Sequence, residues 1–308
     1  NDQRYRDAGF PSADRQQAAR EGATSNGPLL GPIPGSTTML PRLNFGSDHD
    51  DFRRMVHRFF LDECIPQQEG WEQQGYVERA MWNRAGELGL LCMTLPEKFG
   101  GLGADARFTQ VLMEEQGYTG FYGMNFQAND IVASYIYHFG TAEQRQTWLP
   151  RFAKGEVLGA LGMTEQGGGS DLQAIKTRAV KDGDDYIVNG SKIFISNGYM
   201  ADLIALVVKT GDGGARDISM LLIEAGTPGL TKGQPLKKMG MKAQDTCELF
   251  FEDMRVPVAN LIGGSEGTGF GMLMKELAWE RLMVGACSIA AARAALDLAA
   301  AGAEAGDV

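Results

Sequence analysis

Leu161-Gly162-Met163-Thr164-Glu165-Gln166-Gly167-Gly168-Gly169-Ser170-Asp171 and, further on, Lys192-Ile193-Phe194-Ile195-Ser196-Asn197-Gly198 bound the stretch that decides how this chain is built. The apolar run 157–163 fits a short buried strand, and it leads into three consecutive glycines. Glycine has no β-carbon, so backbone N–H groups there can come close to a flat or anionic ligand. Residues 175–180 and 186–188 follow as strand material. Asn189-Gly190 is the pair best suited to a two-residue hairpin loop, whose central residues need positive φ. The chain then returns antiparallel over 191–196, which brings Phe194, Ile195 and Ser196 near Thr164. Hydroxyls and amides gathered at a sheet edge suit an isoalloxazine ring, which has hydrogen-bonding atoms along one edge and a face to be stacked. The same residues also read as a Gly-rich turn between two ordinary strands, and glycines alone do not choose, because short Gly motifs recur by chance.

Around this centre the chain divides into an α+β multidomain arrangement. Residues 1–44 are rich in Gly, Pro, Ser, Gln and Arg and are expected to be a disordered extension. Asp2, Asp7, Asp14 and Glu21 are at odds with the acid-poor character of an organellar transit peptide. Residues 45–155 carry helical periodicity and form an all-α amino-terminal domain. Ser47 is placed to cap a helix bearing Phe52, Met55, Val56, Phe59 and Phe60 that ends before Pro66. Further helices are expected over about 77–91, 108–117, 127–139 and 141–153, the last opened by a capping box on Thr141 and Gln144. Trp71, Trp82, Phe121, Tyr122 and Phe126 are read as core rather than as ligand contacts.

Residues 156–262 form the β domain. Beyond the glycine stretch it holds short apolar runs over 203–208, 218–223 and 246–251, which point to a central antiparallel β sandwich or open barrel rather than alternating βα units. A nicotinamide-binding fold is disfavoured, because the glycines lack the GxGxxG order and lead into no helix. Residues 263–308 are helical again, through Leu273, Leu277, Leu282, Val284, Ile289 and Leu296.

The formal charge of −10, with pI near 4.9, argues against a nucleic-acid partner, whose binding runs on clustered Lys and Arg. Cys64, Cys92, Cys247 and Cys287 are scattered without CxxC spacing and read as buried thiols in a reducing compartment. His49, His57 and His138 have no second ligand type at metal spacing, so no metal site is expected. No apolar run is read as reaching the ~18 residues of a transmembrane segment, and a soluble chain is expected.

Met163-Thr164-Glu165-x-Gly167-x-Gly169-Ser170-Asp171, followed by Asn189-Gly190-x-Lys192-x-Phe194-Ile195-Ser196-Asn197-Gly198, resembles the flavin-binding signature of acyl-CoA dehydrogenases. Lys238 to Thr246, Glu248 to Asp253, and Met274 to Leu277 running on to Glu280-Arg281-Leu282 are similar to the long-chain branch. The likeness spans roughly residues 45–300. It implies FAD as cofactor, a saturated acyl-CoA as substrate, trans-2-enoyl-CoA as product and an electron-transfer flavoprotein as acceptor. It also implies a homo-tetramer or dimer, located in the cytoplasm of a bacterium or the mitochondrial matrix of a eukaryote. An acyl-CoA oxidase, a flavin monooxygenase or an inactive acyl-CoA-binding scaffold of the same fold are the competing readings. In the family the last helix opens a four-helix bundle whose later members are not in this sequence; the expectation is an exposed apolar stripe with weaker cofactor binding and assembly.

By the same resemblance, Glu280 matches the glutamate that long-chain and isovaleryl-type members use as base, whereas other branches place it on a later helix. As a carboxylate in an otherwise apolar helix, Glu280 otherwise reads as simply paired or solvated. Leu161, Met163, Thr164, Gly169, Ser170, Phe194, Ile195 and Ser196 are implied to line the flavin. Thr164 and Ser196 bond the ring, and Phe194 stacks beside it. Ser170, Gly271, Ala278, Trp279, Glu280 and Arg281 are implied to meet the substrate, Arg281 near its coenzyme A part. Gln166 stands where the family usually has proline. Gly271 stands where long-chain members often carry an aromatic residue, which implies a roomier pocket.

Overall fold

The computed structural model describes residues 44–212 and 214–304, so the expected extension 1–44 lies, except for Asn44, outside the described residues. Helix α1 (Ser47–Arg58) begins from Gly46 rather than a Ser47 cap; the Gly46 N–H donates to His49 Nδ1 at 3.1 Å. The chain does not stop before Pro66. A π-helical turn (Phe59–Cys64) and a 3₁₀ turn (Ile65–Gln67) lead into α2 (Gln68–Gln74). Pro66 sits in the opening positions of the 3₁₀ turn, where a missing N–H costs little.

Helices α3 (Arg79–Glu87), α4 (Ala106–Thr119), α5 (Phe126–Phe139) and α6 (Ala142–Ala153) complete the amino-terminal domain. The capping box on α6 forms as read: Gln144 N–H donates to Thr141 Oγ1 at 3.1 Å, and Thr141 N–H to Gln144 Oε1 at 3.0 Å. Trp71, Trp82, Phe121 and Phe126 are buried in this domain's core, while Tyr122 is half-buried. Unread in the sequence was an ionic knot between α1 and α4. Buried Arg53 donates to Glu115 at 2.7 Å and to Glu114 at 2.8 Å, and His57 Nδ1 lies 2.8 Å from the second oxygen of Glu115.

The β domain is one curled sheet of β1 (Gly159–Gly162), β2 (Arg178–Asp182), β3 (Asp185–Ser196), β4 (Leu203–Lys209), β5 (Ile218–Glu224), β6 (Leu230–Lys232) and β7 (Thr246–Pro257). Its order is β1-β4-β2-β3-β7-β6, with β5 on β4. The sheet is mixed, not purely antiparallel. Strand β4 takes β1 in parallel from Gly159↔Leu203 to Gly162↔Leu206, and β2 in parallel at Arg178↔Lys209. Strand direction was invisible because β4 is buried on both faces. Leu203, Ala205 and Val207 join the core under α5 and α6, whereas Ile204, Leu206 and Val208 join the core on the other face. Such a run has no polar face to carry periodicity.

The hairpin is also elsewhere than expected. Asp182 pairs with Asp185, so the two-residue loop is Gly183-Asp184, with Gly183 at φ +64°. Asn189-Gly190 instead lies inside the single long strand β3, at a register shift against β7 between Val188 and Gly190. The Asn189 amide donates to Asp253, whose N–H donates back to Asn189 Oδ1 at 2.9 Å. At Gly190, φ is +145° and a Cβ would lie 2.6–2.8 Å from Thr177. Glycine is required there by the residue just before β2, not by a turn.

Helix α7 (Gly269–Glu304) packs along α4, where Tyr118 Oη donates to Asp297 at 3.1 Å. Its other side leaves Leu282, Val284, Ile289 and Leu296 exposed. Over Gly269–Ala300 it is long and apolar enough, by length and composition, to cross a membrane, against the expectation that no run would be. Core helices pass the same test, and here alanines supply much of the apolar character. Cys64, Cys92 and Cys247 are buried and Cys287 is half-buried, all as free thiols whose pKa burial raises.

Candidate active site

Two neighbourhoods carry the chemistry, one at the end of β3 and one between α5 and α7. Against β7, β3 runs in register at Lys192↔Leu249 and again at Ile195↔Cys247, so Ile193 and Phe194 together face one residue. This bulge sets Phe194 at φ +59° and leaves its ring 62% exposed. A large aromatic side chain held out of the sheet in a left-handed conformation is a position strained for presentation rather than for packing. Beside it, Ser196 Oγ accepts from the Gln244 amide at 3.3 Å. The loop after β1 lies alongside: Ile193 N–H donates to Thr164 O at 2.9 Å. The chain just before Phe194 therefore does meet Thr164, through Ile193, although the expected hairpin is absent.

The loop is locked from below by Lys192, whose side chain is fully buried. Its Nζ donates to Met163 O at 3.1 Å and to Glu165 Oε1 at 2.8 Å. Glu165 also accepts the N–H groups of Lys176 at 2.6 Å and Thr177 at 3.0 Å. Burial lowers the Lys192 pKa to about 8, with Glu165 opposing. Burial alone would raise Glu165, but Lys192 and the N–H donors hold it below the usual carboxylate range. Of the three glycines above this lock, Gly168 is buried and a Cβ there would meet Asp171 O at 3.2 Å, whereas Gly167 and Gly169 are not there for internal packing. A Cβ at Gly167 would meet nothing within 4 Å, and one at Gly169 only the Thr164 methyl at 3.9 Å. Neither has the positive φ that would demand glycine, so close approach by a ligand is the remaining use.

In the second neighbourhood, Glu280 of α7 lines a cleft between α4, α5 and α7. Leu112, Met113, Phe126, Ile131, Trp279 and Met283 form its apolar wall, and Gln127, Asp130, Ser134 and Glu276 its polar part. Glu280 Oε1 accepts from the hydroxyl of Tyr135 at 3.0 Å, and Gln127 Nε2 donates to the Glu280 backbone carbonyl at 2.5 Å. Burial raises the Glu280 pKa; the Tyr135 bond lowers it, Glu276 raises it and Arg281 lowers it. One turn earlier, Glu276 lies 2.7 Å from His138 Nδ1, and that contact raises the His138 pKa.

Of the residues implied to meet substrate, Trp279 and Glu280 line the cleft, whereas Ser170, Gly271, Ala278 and Arg281 are exposed and are not part of its wall. Leu161, Met163 and Thr164 are half-buried, Gly169 is exposed and Ile195 is buried. Among the described residues no group of three His, Cys, Asp or Glu side chains is placed to hold a metal ion. Sequence reading missed Tyr135, Asp130 and the Lys192–Glu165 pair. One signal was available: Asp130 is the one acid in helix α5, although Glu280 itself was singled out by the resemblance and not by such a pattern.

Family models of the acyl-CoA dehydrogenase N-terminal domain and middle domain match residues 46–156 and 160–254. The chain belongs to the acyl-CoA dehydrogenase family. Long-chain specific acyl-CoA dehydrogenase of Rattus norvegicus, a mitochondrial protein, is 47% identical over 251 residues, which are 80% of this chain and 58% of the rat protein. This chain thus spans little more than half the length of that relative. The crystal structure of acyl-CoA dehydrogenase from Geobacillus kaustophilus superposes with a TM-score of 0.79 at 46% identity, covering 82% of this chain and 67% of the other. A glutaryl-CoA dehydrogenase from Mycobacterium smegmatis, solved in complex with FADH2, gives a TM-score of 0.73 at 29% identity, covering 81% and 64%. Acyl-CoA dehydrogenases are flavin-dependent, and the presented Phe194 ring, the Thr164 and Ser196 hydroxyls and the uncrowded glycines fit a flavin.

Proposed function

We propose that this chain forms part of an FAD-dependent dehydrogenase that converts a saturated, medium- to long-chain acyl-CoA to the trans-2-enoyl-CoA in fatty-acid β-oxidation, with an electron-transfer flavoprotein as acceptor. The observation that carries the reading is the Glu280 carboxyl, presented to a mostly apolar cleft with its pKa raised by burial and its ionised form bonded by Tyr135. α,β-Dehydrogenation needs a base for the α-proton, and a carboxylate in a water-poor pocket is matched to that task.

FAD supplies the acceptor for the β-hydride when bound. Thr164 and Ser196 hold its edge through their hydroxyls, Phe194 flanks its face, and Leu161, Met163, Gly169, Ser170 and Ile195 complete the lining. The Lys192–Glu165 pair fixes the loop that carries these groups. Glu280 removes the α-proton; Tyr135 keeps the carboxylate ionised until then. Trp279 and the apolar wall exclude water from the proton transfer. By the family resemblance Arg281 meets the coenzyme A part from outside the cleft wall, while Ser170, Gly271 and Ala278, also exposed, do not line the cleft. Assembly as a homo-dimer or tetramer and a reducing, matrix or cytoplasmic location belong to the same reading.

Anaerobic titration of the purified protein with acyl-CoAs of graded length tests it. The expected result is a yellow protein whose flavin absorbance bleaches on substrate addition and recovers with dye rather than dioxygen. A colourless protein, or a flavin indifferent to every acyl-CoA, overturns the proposal.

A further inference from the structure

The cleft beside Glu280 is not lined as a hydrocarbon chain alone would require. Gln127, Asp130, Ile131 and Ser134 are spaced three or four apart on α5, so they share one helix face, and all four border the cleft. Leu112 and Met113 of α4 and Met283 of α7 border the same cleft, and Phe126 lies on α5 itself, one turn before Asp130. The cleft therefore has an apolar wall and, on α5, a polar strip with an acid at its centre.

Asp130 is not a surface acid that strays inward. The Cys92 N–H donates to its Oδ1 at 3.1 Å, and the Cys92 sulfur lies 3.6 Å from the same oxygen. The side chain is thus anchored from behind by the loop after α3, while a fraction of its surface remains in the cleft. Burial pushes its pKa up to about 7, with the Cys92 bonds pulling the other way. Near neutrality a large share of the molecules carry a carboxylic acid there, which both donates and accepts.

A plain alkyl chain laid along this strip would take water from Asp130 and Ser134 and give them nothing in return. Leaving a desolvated polar group unsatisfied costs about 1–3 kcal/mol. An acyl chain carrying a hydroxyl or keto oxygen restores the lost bond. We propose that Asp130, supported by Ser134, is a specificity determinant of the acyl cleft, selecting acyl thioesters whose chain bears a hydrogen-bonding oxygen over plain hydrocarbon chains.

This inference rests on the acyl-CoA reading of the cleft, and the test separates the two. Dissociation constants are measured calorimetrically for dodecanoyl-CoA and for a series of its chain-hydroxylated isomers, in a Glu280→Gln background where no turnover intervenes. At least one isomer is expected to bind about tenfold tighter than dodecanoyl-CoA, the change that roughly 1.4 kcal/mol represents. Asp130→Leu should erase or invert that preference. Asp130→Asn, which keeps a donor and an acceptor, should retain most of it, and it serves as the informative variant should the leucine protein fail to fold. Tight binding of dodecanoyl-CoA with no isomer bound better overturns the inference alone. Failure of every thioester to bind overturns the acyl-CoA reading with it.

Discussion

Replacing Tyr135 with Phe removes a single oxygen, and it is the oxygen that donates to Glu280 Oε1 at 3.0 Å. Tyr135 is fully buried, so Phe fills the same space and the change is confined to the carboxyl. Burial is the largest influence raising the Glu280 pKa, and the Tyr135 bond is the first that opposes it. Hydrogen bonds to charged groups contribute about 1.5–3 kcal/mol. Glu280 is partly open to the cleft, so water recovers some of this, and a net loss of about 1–2 kcal/mol for the ionised form follows. Ionisation of the base then requires higher pH. At a fixed pH on the acid limb, proton abstraction should slow by roughly 5- to 30-fold, while at high pH the variant approaches the parent. The assay is anaerobic stopped-flow bleaching of bound flavin by acyl-CoA across pH. An acid limb that stays in place or moves to lower pH would refute the assignment, as would a loss equal at every pH, which is the mark of misplacement rather than of lost stabilisation.

Glu280→Gln should leave flavin bound yet abolish bleaching by acyl-CoA, as read by absorbance before and after substrate. Lys192→Met strips the fully buried cation from Glu165; breaking such a pair costs on the order of 3–5 kcal/mol, to be seen as a lowered melting temperature together with loss of flavin on gel filtration. Asp130→Asn should alter the pH dependence of stability. In the parent, the folded state holds a proton up to about pH 7 that the unfolded chain releases near 3.8, so stability is unaffected below that range, falls as pH rises through it, and stays reduced above. The asparagine variant should gain on the parent across that window, by roughly 4 kcal/mol at pH 8, in urea unfolding at a series of pH values; parallel curves would count against a buried, proton-holding Asp130.

Local rules located the elements well where one face was wet and poorly where neighbours decided. The capping pair on Thr141 and Gln144 is a four-residue matter, and it was legible. Gly190 was misread because Asn-Gly has a strong local turn preference, while its actual constraint is Thr177, the residue just before β2. Nor could β4 reveal its parallel partners, since both its faces are buried. The candidate site follows the same division. Thr164, Phe194 and Ser196 were nominated because they sit in contiguous motifs, and Glu280 because of its family match. Tyr135 is 145 residues distant from Glu280 and Lys192 is 27 from Glu165, so neither pairing leaves a trace in spacing.

Among the acids that line the cleft, Glu280 and Asp130 come from different helices, and their surroundings assign them different work. Glu280 faces a neutral hydroxyl donor and has Arg281 as its next neighbour, both of which favour the ionised form against burial. Asp130 is held by a backbone N–H and a thiol, which leave its pKa at about 7. Titratable groups whose environments separate their protonation divide the roles of acid and base between them. The carboxylate beside Tyr135 is then the base, and the acid beside Cys92 is a fixed hydrogen-bonding partner. The division is testable through the pair of variants already named. If bleaching survived in Glu280→Gln and vanished in Asp130→Asn, the two roles would have to be exchanged, and the polar strip on α5 would become the catalytic face of the cleft.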